Sequence, residues 1–184
     1  MNKMTVLGID PGLNGALVAF NENGVVEMNQ MPITIIGKER EVSHGLLALA
    51  LERIKPDHIY LERAVSFGMG TKSAFNYGRA FAAIEMAIQF RKIPFTLVEP
   101  KKWTKVMHAG VSNDLKPKLK SEIAVRRLFP KIIRAIPCTP KSKKLHDGIV
   151  DAILIAAYGY RELNGVGLDT RDGQRKKKLF TDRF

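Results

Sequence analysis

Short apolar runs separated by tight polar turns fill the first thirty residues, and this pattern predicts β-strands. We expect strands over residues 5–9, 16–20 and 25–31. Pro11-Gly12 lies between the first two runs, and Asn23-Gly24, a strong signal for a hairpin turn, lies between the last two. Because the first run is apolar on both sides of its pleat, its strand is predicted to lie inside a sheet.

Beyond residue 32 the apolar spacing alternates between helical and extended periods. Residues 33–41 are predicted to form a polar connector, and Ser43 is expected to cap a helix. The apolar face of that helix is predicted to consist of Leu46, Leu47, Leu49, Ala50 and Ile54. We then expect a strand at 58–61, a helix at 73–90, a strand at 95–98, a helix from Pro100, a connector at 108–120, and helices at 121–128 and 145–160. This order predicts an α/β fold in which helices pack on the faces of one mixed sheet.

The 184 residues carry a formal net charge of +12, and most of that charge is in one segment. Between residues 99 and 144 there are thirteen Lys and Arg against three acids, which leaves +10 in a quarter of the chain. Charge concentrated in this way predicts a face that binds a polyanion, with nucleic acid as the leading partner. A solvated basic surface or a surface for anionic lipid are the alternatives, and the second ranks lower because no segment has the pattern of an interfacial helix.

Composition also indicates the compartment and the domain organisation. No apolar stretch approaches the roughly 18 to 20 residues that span a bilayer, and the N-terminus lacks the pattern of a secretory signal. The single cysteine, Cys138, cannot form an internal disulfide, which agrees with a reducing compartment. We therefore expect a cytoplasmic protein with no membrane partner. One folded domain is expected over residues 1–162, followed by a basic, flexible tail over 163–184.

Three apolar elements carry carboxylates where burial would be costly. Asp10 ends the first strand, Glu62 ends the strand at 58–61, and Asp147 and Asp151 lie four residues apart on one face of the last helix. Taken singly, each acid could be a helix cap or one half of an ion pair. Together they are better explained by convergence on two divalent cations, because Mg²⁺ and Mn²⁺ prefer oxygen ligands and leave positions open for phosphate. The sequence therefore predicts a phosphodiester-cleaving site built from these four acids.

At this point the chain resembles a known family. The Gly8-to-Gly12 turn, the Tyr60-Leu61-Glu62 strand end and the Asp147-to-Asp151 helix are similar to those of the RuvC family of Holliday-junction resolvases, within the RNase H-like superfamily. The resemblance runs from residue 4 to about residue 160 and leaves out the tail. It implies an RNase H-like mixed five-stranded sheet, four acids that hold two Mg²⁺ or Mn²⁺ ions, and a homodimer that makes paired nicks across a four-way junction.

The family's acids transfer to this chain residue by residue. Asp10, Glu62 and Asp151 match well, but many cellular members have their fourth acid three residues before the last, where this chain has Gly148. We assign the fourth position to Asp147, with His146 as an alternative ligand or base. These spacings in a small chain resemble viral members more than cellular ones, so the expected setting is a bacterial cell or a phage-infected host.

The resemblance also implies positions for DNA contacts. Phe67 lies where the family has an aromatic that wedges into the junction, and core packing is its equally weighted alternative. The lysines expected to neutralise phosphates near the metals are Lys102, Lys105, Lys116, Lys118 and Lys120. Trp103 is predicted to anchor its helix in the core rather than stack on DNA. Packing in the core or at a dimer interface is predicted for Phe75, Tyr77 and Phe81.

Other functions fit part of the pattern. A nuclease of the same superfamily that acts on flaps or RNA–DNA hybrids would carry much the same acids. A non-catalytic DNA-binding protein of the same fold fits less well, because acids that face phosphate weaken binding. An actin-like nucleotide-binding protein needs two duplicated halves, and the chain is too short for them. The preferred hypothesis is a metal-dependent endonuclease that hydrolyses phosphodiesters in Holliday junctions and other branched DNA.

Overall fold

The structure is a computed structural model that describes residues 4–63, 68, 70–139 and 144–165. These ranges contain seven strands, five α-helices and a short 3₁₀-helix at Pro130–Ala135. In chain order the elements are β1 (Val6–Asp10), β2 (Ala16–Asn21), β3 (Gly24–Gln30), β4 (Ile33–Ile36), β5 (Glu39–Val42), α1 (His44–Ile54), β6 (His58–Glu62), α2 (Thr71–Phe90), β7 (Phe95–Val98), α3 (Pro100–Met107), α4 (Pro117–Leu128) and α5 (Asp147–Leu163).

Five of the strands form one mixed sheet in the order β3-β2-β1-β6-β7. β1 pairs antiparallel with β2, and β2 with β3, because short turns connect them. β6 runs parallel to both β1 and β7, and the connections between these strands pass through helices. This is the mixed five-stranded α/β sheet that the sequence predicts, with β1 at its centre.

Alternate residues of the central strands point to opposite faces of the sheet and contribute to two separate cores. On one face Val6 and Tyr60 pack with α3, α4 and α5, and on the other Leu7 and Ile59 pack with α1 and α2. α5 lies so close to β1 that a Cβ on Gly8 would overlap the backbone of that helix. Because residue 8 has no side chain, the last helix rests directly on the central strand.

Residues 33–41 do not form the predicted polar connector. β4 and β5 pair as an antiparallel hairpin, closed by a turn in which Gly37 has a φ of 63°. The β-branched run at the start favours extended backbone, and ion pairs from α2 reach Glu39 and Glu41. The prediction was wrong because these stabilising contacts come from a helix thirty residues away, which the local pattern does not contain.

The buried face of α1 is narrower than predicted. Leu47 and Leu51 are buried, whereas Leu46 and Leu49 are more than half exposed. The helix contacts its neighbours along one i, i+4 stripe, so apolar residues beside that stripe remain on the surface.

α4 begins at Pro117, four residues earlier than predicted. Proline is favoured at the first helical position because its missing N–H would be unpaired there in any case. Lys118 and Lys120 therefore lie in the first turn of α4 and not in a connector.

α5 extends to Leu163, slightly beyond its predicted end. The tail predicted over 163–184 lies outside the described residues from position 166 onward. In the part of the chain that is described, no helix combines the length and apolarity needed to cross a membrane.

Candidate active site

Asp10 and Glu62 lie side by side at the carboxyl ends of β1 and β6. The parallel register pairs Ile9 with Leu61, so the next position on each strand brings the two acids together. Neighbouring strands are about 5 Å apart. Tyr60 points to the face covered by α5, and the two-residue period places Glu62 on that face as well. The same alternation along β1 places Asp10 there.

The first two turns of α5 supply the other two acids. Asp147 is the first residue of the helix, and Asp151 follows one turn later. His146 caps the helix, because its Nδ1 accepts a hydrogen bond from the backbone N–H of Ile149 at 3.3 Å. One ring nitrogen of His146 is thus committed to the helix, and the predicted role as a ligand or base would depend on the other.

Gly148 marks a direct backbone contact between α5 and the β1–β2 turn. A Cβ at this position would overlap the carbonyl oxygen of Asn14 and lie 2.8 Å from the Cα of Gly15. Any side chain would therefore force apart the two elements that carry Asp10 and Asp151. This contact explains why residue 148 carries no acid, and it leaves Asp147 as the neighbouring helical carboxylate.

The four acids interact electrostatically. The pKa of Asp10 is raised well above its ordinary value, first because burial disfavours the charged form and then because Asp151 and Glu62 are close. Burial likewise raises the pKa of Glu62 to about 7 and the pKa of Asp151 to about 6. Repulsion from Asp147 acts in the same direction on Asp10 and Asp151. The site concentrates negative charge in a poorly hydrated place, where a cation would relieve the repulsion.

Among the described residues, no three His, Cys, Asp or Glu side chains lie close enough to form a ready-made metal site. The donor atoms nevertheless suit a hard cation. Oδ1 of Asp151 is buried and has no hydrogen-bond partner. A buried acceptor without a partner costs about 1–3 kcal/mol, and a metal ion would satisfy it. Carboxylate oxygens are the ligands that Mg²⁺ and Mn²⁺ prefer, so the chemistry of these residues fits such ions.

Lys118 reaches the acidic cluster from the first turn of α4. Its Nζ lies 2.6 Å from Oδ2 of Asp147, and both side chains are substantially exposed. The same ammonium opposes the upward shift in the pKa of Asp10 and Asp151. Lys118 therefore offsets part of the negative charge at the open edge of the cluster.

Two hydrogen-bond donors in the site were missed by the sequence analysis. The indole Nε1 of Trp103 donates a 2.8 Å hydrogen bond to Oε1 of Glu62. Hydrogen bonding to the hydroxyl of Ser121 lowers the pKa of Asp151. The prediction that Trp103 lies in the core is confirmed, since it is only 3% exposed. Buried indole N–H groups usually find an acceptor, so that tendency was the available signal for Trp103. For Ser121 the sequence offered none.

The aromatic residues of α2 divide into three environments. Phe81 packs in the core and Phe75 is exposed. Tyr77 lies near the acids, because Glu62 and Asp10 add to the effect of burial in raising the pKa of its phenol. The prediction that Tyr77 packs in the core or at a dimer interface thus missed its position beside the acids.

The other residues predicted to contact DNA lie on or near α3 and α4. Lys102 and Lys116 are exposed. Lys105 and Lys120 line a cavity of about 400 Å³ together with His108. Phe67 lies outside the described residues, so its wedge role stays a prediction.

No protein-family model matches the chain, and no curated protein matches it in sequence. Solved structures do match. The structure of T. thermophilus RuvC in complex with a Holliday junction substrate has a TM-score of 0.59 at 17% identity, over 88% of this chain and 96% of that chain. A second Thermus thermophilus RuvC structure has a TM-score of 0.55 at 18% identity, over 88% and 97%. The yeast mitochondrial Holliday junction resolvase Ydc2 has a TM-score of 0.54 at 16% identity, over 86% and 78%. At these identities the likeness shows the fold, which is the RuvC-like form of the RNase H-like fold.

Proposed function

We propose that the protein is a metal-dependent endonuclease that resolves Holliday junctions and other branched DNA by phosphodiester hydrolysis with paired nicks. The observation that carries this proposal is the electrostatic coupling of Asp10, Glu62, Asp147 and Asp151 on a RuvC-like sheet. A structural role gives no reason to gather these acids, because each one raises the cost of ionising the next. Carboxylates gathered against their own repulsion are typical of nucleases that use two divalent cations.

In this proposal the four acids hold two Mg²⁺ or Mn²⁺ ions. Bound there, the ions would activate a water molecule and stabilise the leaving 3′ oxygen. The chain's own groups position the acids and the substrate. Trp103 fixes one oxygen of Glu62. Lys118 is exposed and pairs with Asp147 at the open edge of the cluster. Its ammonium can therefore leave Asp147 and pair with a phosphate instead.

The charge distribution supports DNA as the substrate. The basic segment at residues 99–144 supplies α3 and α4, which pack on the same face of the sheet as α5 and therefore flank the acids. Lys118 connects this basic surface to the acidic cluster. In the proposal the lysines dock phosphates, and the acids meet only the phosphodiester that is cut.

Paired nicks need two sites, and α2 offers a face for a second copy of the chain. Phe75, Met86 and Phe90 are each more than 60% exposed and lie on one side of the helix. The exposed small residues Gly78 and Ala82 lie between them on the same side. Exposed apolar side chains grouped in this way are typical of a protein–protein contact.

The spacing of this stripe suits pairing with itself. Gly78 lies four residues before Ala82, and Met86 lies four residues after it. If two α2 helices run antiparallel across Ala82, each Met86 enters the space above the partner's Gly78. Phe75 then lies near Phe90 of the partner subunit. A two-fold contact requires this kind of self-complementary surface, so we propose a homodimer paired through α2.

The test is a cleavage assay on four labelled substrates with Mg²⁺: a four-way junction, a flap, an RNA–DNA hybrid and a linear duplex. The matched variant is Asp10→Asn, which removes a charge and retains the side-chain volume. The chain with Asp10 should place symmetric nicks in the junction, whereas Asp10→Asn should bind the junction with similar affinity and leave it intact.

Each other outcome rejects a specific part of the proposal. Cleavage by Asp10→Asn would reject the site. Preferential cutting of the flap or the hybrid would mean that the proposed substrate is wrong and that the proposed reaction is right. Junction binding without any cleavage would identify a non-catalytic binding protein.

A further inference from the structure

Two acids of the candidate site interact with hydrogen-bond donors on α3 and α4. These two helices belong neither to the sheet nor to α5, which carry the acids. Glu62 accepts the indole N–H of Trp103 at 2.8 Å. Hydrogen bonding to Ser121 lowers the pKa of Asp151, which places the Ser121 hydroxyl beside that carboxylate. Trp103 and Ser121 are 3% and 4% exposed, so water does not compete for these bonds.

His108 connects the two donors. Its Nε2 lies 3.1 Å from Oγ of Ser121. Because a carboxylate only accepts hydrogen bonds, a Ser121 hydroxyl that donates to Asp151 is left to accept the Nε2–H of His108. The His108 ring also packs edge-on against the indole of Trp103, with ring centroids 5.6 Å apart. The three side chains therefore form one contiguous unit behind the two carboxylates.

We propose that Trp103 and Ser121, braced by His108, are positioning residues that hold Glu62 and Asp151 in the orientation required for binding divalent cations. This inference rests on the proposed metal site. Oδ1 of Asp151 is buried and has no hydrogen-bond partner, so it remains available to a cation. A carboxylate held by one oxygen offers the other in a fixed direction, and partners of this type commonly change metal affinity by about 10- to 100-fold when removed.

The test measures Mn²⁺ affinity by titration calorimetry or by loss of the free-ion EPR signal, and it measures cleavage in parallel. The variants are Trp103→Phe, which retains a ring and removes the donor, and Ser121→Ala. Ser121→Thr retains the hydroxyl and serves as the rescue. Met107→Leu is the matched control, because Met107 is buried on α3 and donates no hydrogen bond to the acids.

We expect Trp103→Phe and Ser121→Ala to weaken Mn²⁺ binding by about 10- to 100-fold each. The Mn²⁺ concentration that half-saturates cleavage should rise by the same factor, with a smaller change in the rate at saturating metal. Ser121→Thr and Met107→Leu should bind Mn²⁺ like the unchanged chain, whatever small loss of thermal stability they show.

Three results would overturn the inference, and they can be distinguished from one another. If the unchanged chain binds Mn²⁺ and Trp103→Phe and Ser121→Ala bind it equally well, the positioning role is wrong and the metal site stands. If the unchanged chain binds no Mn²⁺, both the positioning role and the proposed metal site are wrong. A loss of affinity in Met107→Leu equal to that in Trp103→Phe would also contradict the inference, because it would show that affinity follows packing of α3 alone.

Discussion

Replacing Glu62 with glutamine should make the metal-free protein more stable at neutral pH. Glutamine has the shape of a protonated glutamate, and its amide oxygen still accepts the Trp103 N–H. The change therefore removes the buried negative charge and leaves the contacts in place. Natural sequences accept such costs at functional sites, so a gain in stability from this change would be a sign that Glu62 is retained for function.

The magnitude follows from the pKa of Glu62, which burial raises from 4.5 to about 7. The folded state therefore holds this proton more tightly than the unfolded state. Its stabilising effect is complete below about pH 4.5 and is lost as the pH rises through about 7. One pKa unit corresponds to about 1.4 kcal/mol, so Glu62 alone costs the folded state about 3 kcal/mol above pH 7.

The assay is urea denaturation in EDTA between pH 5 and 8, with the chain and its Glu62→Gln variant compared at each pH. His58 and His108 act in the opposite direction, because burial lowers their pKa and their contribution to stability is lost as the pH falls. Both histidines are present in both proteins, so their contribution cancels in the difference in the free energy of unfolding. The difference should be small at pH 5 and grow towards about 3 kcal/mol at pH 8, with Glu62→Gln the more stable.

Equal stability of the two proteins at every pH would refute this reasoning, because it would mean that Glu62 ionises without cost in the fold. Addition of Mg²⁺ at pH 8 supplies an internal check. If Glu62 is a ligand, Mg²⁺ should stabilise the unchanged chain and should have little effect on Glu62→Gln.

Three further predictions concern docking, packing and assembly. Junction affinity should fall about a thousand-fold or more between 50 and 200 mM salt in a binding titration, because neutralising six or more phosphates releases that many counterions; a flat response would exclude the lysine-rich face as the docking surface. Gly148→Ala should cost at least about 1–3 kcal/mol in thermal denaturation, because the new methyl group overlaps the β1–β2 turn. Gly45→Ala, where a methyl group meets nothing, should have little effect, and equal losses in the two variants would contradict the close contact. Met86→Glu should convert a dimer into a monomer in analytical ultracentrifugation and uncouple the paired nicks, whereas Leu46→Glu, at an exposed apolar position on α1, should leave assembly unchanged.

The sequence was sufficient to place Asp10 and Glu62 at the ends of two strands, because each acid follows a short apolar run. The parallel register that brings them side by side joins strands about fifty residues apart and was not predicted. The sequence also placed Asp147 and Asp151 together, since a four-residue spacing spans one helical turn. It could not identify Ser121 as a partner of Asp151. That contact exists only once α4 lies against α5, and nothing in the thirty residues between them encodes the approach.

The sequence did not predict the β4–β5 hairpin, for a related reason. Its strands are short, and its ion pairs come from Lys72 and Arg79 on α2. The strand propensity of these residues therefore contributes little to the hairpin, and the ion pairs from α2 contribute most.

The contacts within the candidate site separate a fixed pair of acids from one adjustable acid. Asp10 and Asp151 are carried by β1 and α5. The backbone of α5 touches β1 at Gly8 and the β1–β2 turn at Gly148, so the separation of the two acids is set by the fold. Asp147 is different, because it is exposed and held by the flexible side chain of Lys118. Completing the site then requires Lys118 to release Asp147, and a DNA phosphate is a suitable replacement partner for the ammonium. The arrangement would make the full set of acids available only when substrate is present, which couples the docking surface to the chemistry through a single exposed ion pair.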